Sequence, residues 1–158
     1  MLIRAQPLTV EAFAPFGQVL HHRPGDPGRH NFAADLFNGR AGARPNLRVQ
    51  RTQPTALPLI ATVIERHHFS SQMFAPLSGA RYLVTVFPTD AEGQPVLPSG
   101  QAFIAQGDQA VNYNPGTWHH PFVALAEGTF LMLRWDDGGT GDEEFLSLPI
   151  KVMIEGEA

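Results

Sequence analysis

Cysteine is absent from the 158 residues, which excludes disulfides, thiolate nucleophiles and Cys-type zinc sites. Charge is scarce too, at 16% of residues, and it leans acidic, with a net charge of -4 and a pI near 5.9. The 11 Lys and Arg form no run. The clustered basic surface that phosphate binding needs is therefore missing, which argues against a nucleic-acid partner. No apolar stretch approaches the roughly 20 residues of a bilayer-spanning helix, and residues 1–7 lack the apolar centre of a signal peptide. A cytoplasmic location is the default expectation. What is present is 43% hydrophobic content, enough for a real core, in a length that suits one compact domain over residues 1–158.

The 14 Pro and 15 Gly are spread as punctuation, which points to many short strands. Only residues 9–16 read as helix: Thr9 as N-cap, Glu11 in the first turn, Pro15 and Gly17 as the stop. Strand patterns cover residues 47–51, 59–64, 82–87, 102–105, 109–113, 121–125 and 129–135. Turn signals at 77–79, 106–108, 114–116 and 126–128 separate several of them, the mark of an antiparallel sandwich or barrel. Residues 88–100, with Pro88, Pro95 and Pro98, read as a surface loop. An N-terminal strand within residues 2–7 is free to pair or exchange.

Two segments can carry chemistry. In the first, strand alternation sends Glu65 and His67 to one face and Arg66 and His68 to the other. Gln72 follows a Ser70-Ser71 pair able to turn the chain back toward the same pocket. In the second, Asn114-Pro115-Gly116 makes a tight turn, after which His119 and His120 must face opposite sides. Trp118 stands beside His119 and is able to shield it from water. For each segment the plain alternative is a polar strand end. His21, His22 and His30 lie in a Pro/Gly-rich loop and receive no role.

Together these pieces resemble the cupin superfamily. Glu65-x-His67-x4-Gln72-x6-Gly79 has the spacing of its first motif, with Glu for the first His and Gln for the acid. Gly116-Thr117-Trp118-His119 matches the core of the second. More narrowly, the chain resembles the ureidoglycolate lyase family. The matching pieces include Glu65-Arg66-His67, Gln72-x-Phe74-x-Pro76, Val111-Asn112-Tyr113, Trp118-His119-His120-Pro121 and Asp136-x-Gly138-Gly139. Asp137 stands where the family usually carries Arg.

The resemblance implies an all-β cupin-type double-stranded β-helix (a jelly-roll barrel) with one short N-terminal helix. It also implies elimination of urea from ureidoglycolate to give glyoxylate, and a homodimer. His119, His67 and Glu65 are the expected catalytic residues. Arg51, Gln72, Asn112, Tyr113 and Trp118 are expected at the substrate, Arg51 or Arg66 taking its carboxylate. His67, Gln72 and His119 are the expected ligands of a divalent metal, with Glu65 as a fourth ligand or a base. The family implies nickel; mixed N/O ligands also suit zinc or manganese, and neutral Gln72 keeps a metal-free site open. Another cupin enzyme (an isomerase, epimerase or metal-dependent oxygenase) and a non-catalytic small-ligand binder are the alternatives.

Overall fold

In the computed structural model, which describes residues 1–29, 31 and 35–156, two β-sheets face each other. The strands are β1 (Leu2–Arg4), β2 (Gln6–Pro7), β3 (Gly17–Leu20), β4 (Arg44–Thr52), β5 (Leu59–His67), β6 (Gln72–Pro76) and β7 (Gly79–Phe87). They continue as β8 (Gln101–Gly107), β9 (Ala110–Tyr113), β10 (Trp118–His119), β11 (Val123–Ala124), β12 (Gly128–Asp136) and β13 (Glu143–Glu155). One α-helix, α1 (Val10–Phe13), precedes β3. The larger sheet has the order β1-β13-β5-β10-β7-β8-β2, with β11 also on β7, and the smaller β3-β9-β6-β12-β4. Most pairs are antiparallel and join strands distant in sequence, the topology of a jelly-roll barrel. The all-β cupin-type expectation holds.

Alternation along the strands builds two apolar layers. Ala80, Tyr82, Val84 and Val86 of β7 point into the barrel with Phe13, Phe74, Phe103, Val111, Tyr113, Phe130 and Met132. Leu83 and Phe87 of the same strand point outward, into a second layer with Ile64, Ile104, Trp118, Val152 and Ile154. A strand buried on both faces reads as a continuous apolar run, which is why β7 is so legible.

Several expectations need correction. The helix is one turn, capped by Thr9 through Ala12 N–H, and does not reach residue 16. The strand expected over 121–125 shortens to β11. Residues 2–7 split into β1 and β2, which pair in parallel with β13 and β8 of their own chain. β13 went unrecognised because Pro149 interrupts it; the proline is tolerated because the register slips between Ser147 and Val152. His30 lies outside the described residues.

The turn over residues 114–117 positions the start of β10. Gly116 adopts φ 78°, the left-handed conformation that favours glycine, and Thr117 N–H closes the turn on Asn114 C=O. Gly116 N–H also donates to the carbonyl of His67 at 2.6 Å, so the start of β10 is fastened to the end of β5.

Candidate active site

Glu65 and His67 lie on the barrel-facing side of β5 and are almost wholly buried, while Arg66 and His68 face away. The Arg66 guanidinium stacks 4.3 Å over the Trp118 ring and pairs with Glu144. On β10, His119 is paired in register with Glu65 on one side and Val86 on the other. Direct cross-strand partners share a face, so His119 and Glu65 meet inside, with Nε2 to Oε1 at 3.4 Å. The chain then turns through residues 68–71 and returns on β6, bringing the Gln72 Oε1 to 3.1 Å from the same Nε2. The rings of Tyr113 and His119 stack with centroids 4.2 Å apart, and the ring of His67 lies with its centroid 6.1 Å from that of His119, the two planes inclined at 25°.

The protonation of His119 follows from its partners. Its Nδ1 lies 2.9 Å from the carbonyl of Thr117, which can only accept, so Nδ1 carries the hydrogen. In the neutral ring Nε2 is then a bare lone pair, yet it faces two further acceptors, Gln72 Oε1 and Glu65 Oε1. Three lone pairs converging in a buried site demand one positive species between them, a proton on Nε2 or a metal cation. Burial works to raise the Glu65 carboxyl, but the hydrogen bond and charge of His119, with His67 and His120 behind them, hold it below the usual carboxylate value. Burial pushes the His67 imidazole below its usual value, and the charge of His119 adds to this against Asp142, Glu65 and Glu143. His67 is thereby kept neutral, and neither ring nitrogen has a hydrogen-bond partner among the described residues.

This donor chemistry fits a divalent cation. Separations of 3.1 and 3.4 Å match neighbouring ligands bonded at about 2.1 Å. Among the described residues no group of three or more His, Cys, Asp or Glu is placed to hold a metal ion. A cation at this point would take the Gln72 amide oxygen beside His119 Nε2, with neutral His67 as a further nitrogen nearby.

Three expected substrate contacts are not brought to this cluster. Arg51 sits opposite Thr129, toward the far end of β12 from Gln72, where its exposed guanidinium pairs with Glu127. Asn112 neighbours Tyr113 on β9, so alternation turns it to the other face, where it donates to Gln18 Oε1 and the carbonyl of Asp35. Trp118, for the same reason on β10, enters the outer apolar layer, with its indole N–H on the carbonyl of Gly93. A cavity of about 650 Å³ beside Arg66, Phe87 and Thr117 lies on that outer side as well, and none of Glu65, His67, Gln72 or His119 lines it.

Asp142 and Arg40 had no sequence signal. Asp142 is buried and stitches the turn that returns Gln72: its Oδ1 accepts from Phe69 N–H at 2.7 Å, and its Oδ2 from the Ser70 hydroxyl at 2.5 Å. The same Oδ2 receives Arg40 at 3.2 Å and lies 3.5 Å from His67 Nδ1. Arg40 comes from the loop before β4 and pairs also with Asp137, while Arg134 on β12 pairs with Glu143. An aspartate in a glycine-rich segment looks like any turn residue until the fold brings it home.

The sequence profile of the family described as ureidoglycolate lyase matches residues 1–154. The ureidoglycolate lyase of Rhizobium etli (strain CIAT 652) is 40% identical, over 89% of this chain and 88% of that protein. That of Agrobacterium fabrum is 38% identical over 90% of each, and that of Chelativorans sp. (strain BNC1) 40% over 96% of each. Among solved structures, the TDP-fucose-3,4-ketoisomerase of Campylobacter jejuni is 11% identical with a TM-score of 0.45, over 80% of this chain and 87% of that one.

Proposed function

The chain belongs to the ureidoglycolate lyase family, and from that premise we propose that it eliminates urea from ureidoglycolate, releasing glyoxylate, as a carbon–nitrogen lyase. The observation that carries the chemistry is the bare Nε2 of His119, fixed in that tautomer by Thr117. The substrate bears a hydroxyl, a carboxylate and a ureido nitrogen on one carbon. His119 Nε2 takes the hydroxyl proton, the oxygen electrons form the aldehyde carbonyl, and the C–N bond breaks with its pair going to nitrogen. The proton then passes from the imidazolium to that nitrogen, so one histidine serves as base and acid. Glu65, held ionised, stabilises the imidazolium in between, and the Gln72 oxygen accepts the new Nε2–H. Tyr113 keeps the ring in its plane.

A divalent cation held by His119, Gln72 and His67 would occupy the Nε2 lone pair and supply Lewis acidity toward the hydroxyl oxygen, with Glu65 serving as the base in that state; the metal would be nickel on the family's expectation, or zinc or manganese. A cytoplasmic location and a homodimer complete this reading. The edge strand β4 leaves Leu47 and Val49 exposed for a second copy to cover.

The deciding assay follows ureidoglycolate turnover under chelator and after restoring single metals, with urea and ammonia read separately. Equal yields of urea and glyoxylate are expected. Ammonia in place of urea would mean hydrolysis, and no turnover with any metal would leave a ligand-binding protein.

A further inference from the structure

Of the seven buried side-chain polar atoms that lack a hydrogen-bond partner among the described residues, five belong to residues that line one small cavity. They are Nε of Arg40, Nε of Arg134, Nε1 of Trp135 and both ring nitrogens of His67. Two guanidinium N–H groups, the indole N–H and the one hydrogen of neutral His67 make four donors with nothing to donate to. A buried donor without an acceptor is costly, and native folds seldom gather several without a reason. The cavity has about 10 Å³ free, room for about one water. Its lining is thus set for an acceptor.

The charges around it say how such a guest enters. Arg40 and Arg134 face four carboxylates: Asp137 and Asp142 on the first, Asp136 and Glu143 on the second. An added anion would be repelled; one that replaces a carboxylate leaves the local charge unchanged. Asp137 is the replaceable one. Its side chain is 33% exposed, against 7% for Asp142; Asp136 and Glu143 are exposed to 31% each, but Asp136 also accepts from Asn46 and Gly138 N–H and Glu143 belongs to strand β13. Asp137 reaches Arg40 with one oxygen at 2.8 Å and leads into Gly138, at φ 79°, and Gly139.

We propose that this cavity is the subsite for the substrate's carboxylate, anchored by Arg40 and Arg134, and that the substrate displaces Asp137, which lies outside the cavity lining, from its place on Arg40. The proposal rests on the reading of a small hydroxy-acid substrate and deepens it. Arg134 lies one residue beyond the Leu133–Met73 pair and two beyond barrel-facing Met132, so it shares the face of Gln72. His67 belongs to both the cavity and the His119 cluster. A carboxylate held on the arginines therefore directs the adjoining carbon and its hydroxyl toward His119.

Glycolate and glycolamide differ only in carboxylate against amide, and calorimetric titration with both tests the assignment. The wild-type protein should bind glycolate at least about tenfold more tightly, since charge-assisted hydrogen bonds contribute about 1.5–3 kcal/mol. Arg40→Lys and Arg134→Lys, which keep charge but lose the planar fork, should each weaken glycolate roughly tenfold and leave glycolamide unchanged. Asp137→Asn, which keeps an oxygen for Gly139 N–H but weakens the hold on Arg40, should tighten glycolate severalfold and lower KM for ureidoglycolate with kcat little altered. Folded arginine variants that bind glycolate like wild type, a parallel loss of glycolamide, or an Asp137→Asn variant with unchanged or weaker binding would each overturn the subsite. The two readings fail separately. The full glycolate pattern without urea release refutes the proposed function and upholds the subsite. Urea release with glycolate affinity unmoved in all three variants refutes the subsite alone.

Discussion

The Nε2 of His119 lies 3.1 Å from the amide oxygen of Gln72 while Nδ1 of the same ring is committed to the carbonyl of Thr117. Two atoms that both accept hydrogen bonds are thus held in contact distance, with the carboxylate of Glu65 close by. Such an arrangement is poised to take up a proton between the two atoms, and the proposed elimination supplies that proton from the substrate hydroxyl.

His119→Asn tests this directly. Loss of the general base should lower ureidoglycolate turnover about 10²–10⁴-fold, with far-UV circular dichroism unchanged. A variant retaining its full rate would place the base elsewhere.

Gln72 sets the charge of the cation's surroundings. Gln72→Glu adds an anionic oxygen and should raise the chelator concentration needed to strip metal from the loaded protein by roughly tenfold; Gln72→Leu should lower it. Metal content after dialysis is the readout. Identical retention in wild type and both variants would remove Gln72 from the ligand set.

Asp142 ties the 68–71 turn to Arg40 from a buried position. Asp142→Ala leaves Arg40 short of a partner and Ser70 and Phe69 N–H unsatisfied. The expected loss is about 3 kcal/mol, read from the urea midpoint, together with reduced turnover as Gln72 shifts. A loss below about 1 kcal/mol would show that the turn holds itself.

Tyr82 makes stability depend on alkaline pH. Burial holds its phenol well above the ordinary value of about 10. The native state keeps the proton that the unfolded chain releases, so this contribution is complete below pH ~10 and declines as pH rises beyond it, by about 1.4 kcal/mol per pH unit. Tyr82→Phe should flatten the decline above pH ~10. It should also cost about 1 kcal/mol at neutral pH through the lost bond to the carbonyl of Gln109. The second buried tyrosine, Tyr113, is shifted in the same direction and preserves part of the slope. An unchanged slope in Tyr82→Phe would contradict the assignment.

The strands over 82–87, 102–105 and 129–135 were legible because apolar and β-branched residues recur between clear turn signals. β13 was hidden by Pro149, whose cost is absorbed by a bulge that no local pattern announces. Alternation from Glu65 to His67, and from Trp118 to His119, told which side chains share a face. The same rule should have removed Asn112 and Trp118 from the pocket once Tyr113 and His119 were placed in it. Arg51 was misjudged for another reason: a strand pattern gives the face of a residue but not its height along the barrel.

By itself, the sequence determined the barrel, the family and the inward set Glu65, His67, Gln72 and His119, because period-2 alternation and tight turns act over a few residues. Only the tertiary structure decided what those residues meet. Asp142, Arg40 and Arg134 reach His67 and Gln72 from segments about 30 to 70 residues distant, through register and strand order. Long-range pairing of that kind is a property of the whole fold, so local periodicity carries no trace of it.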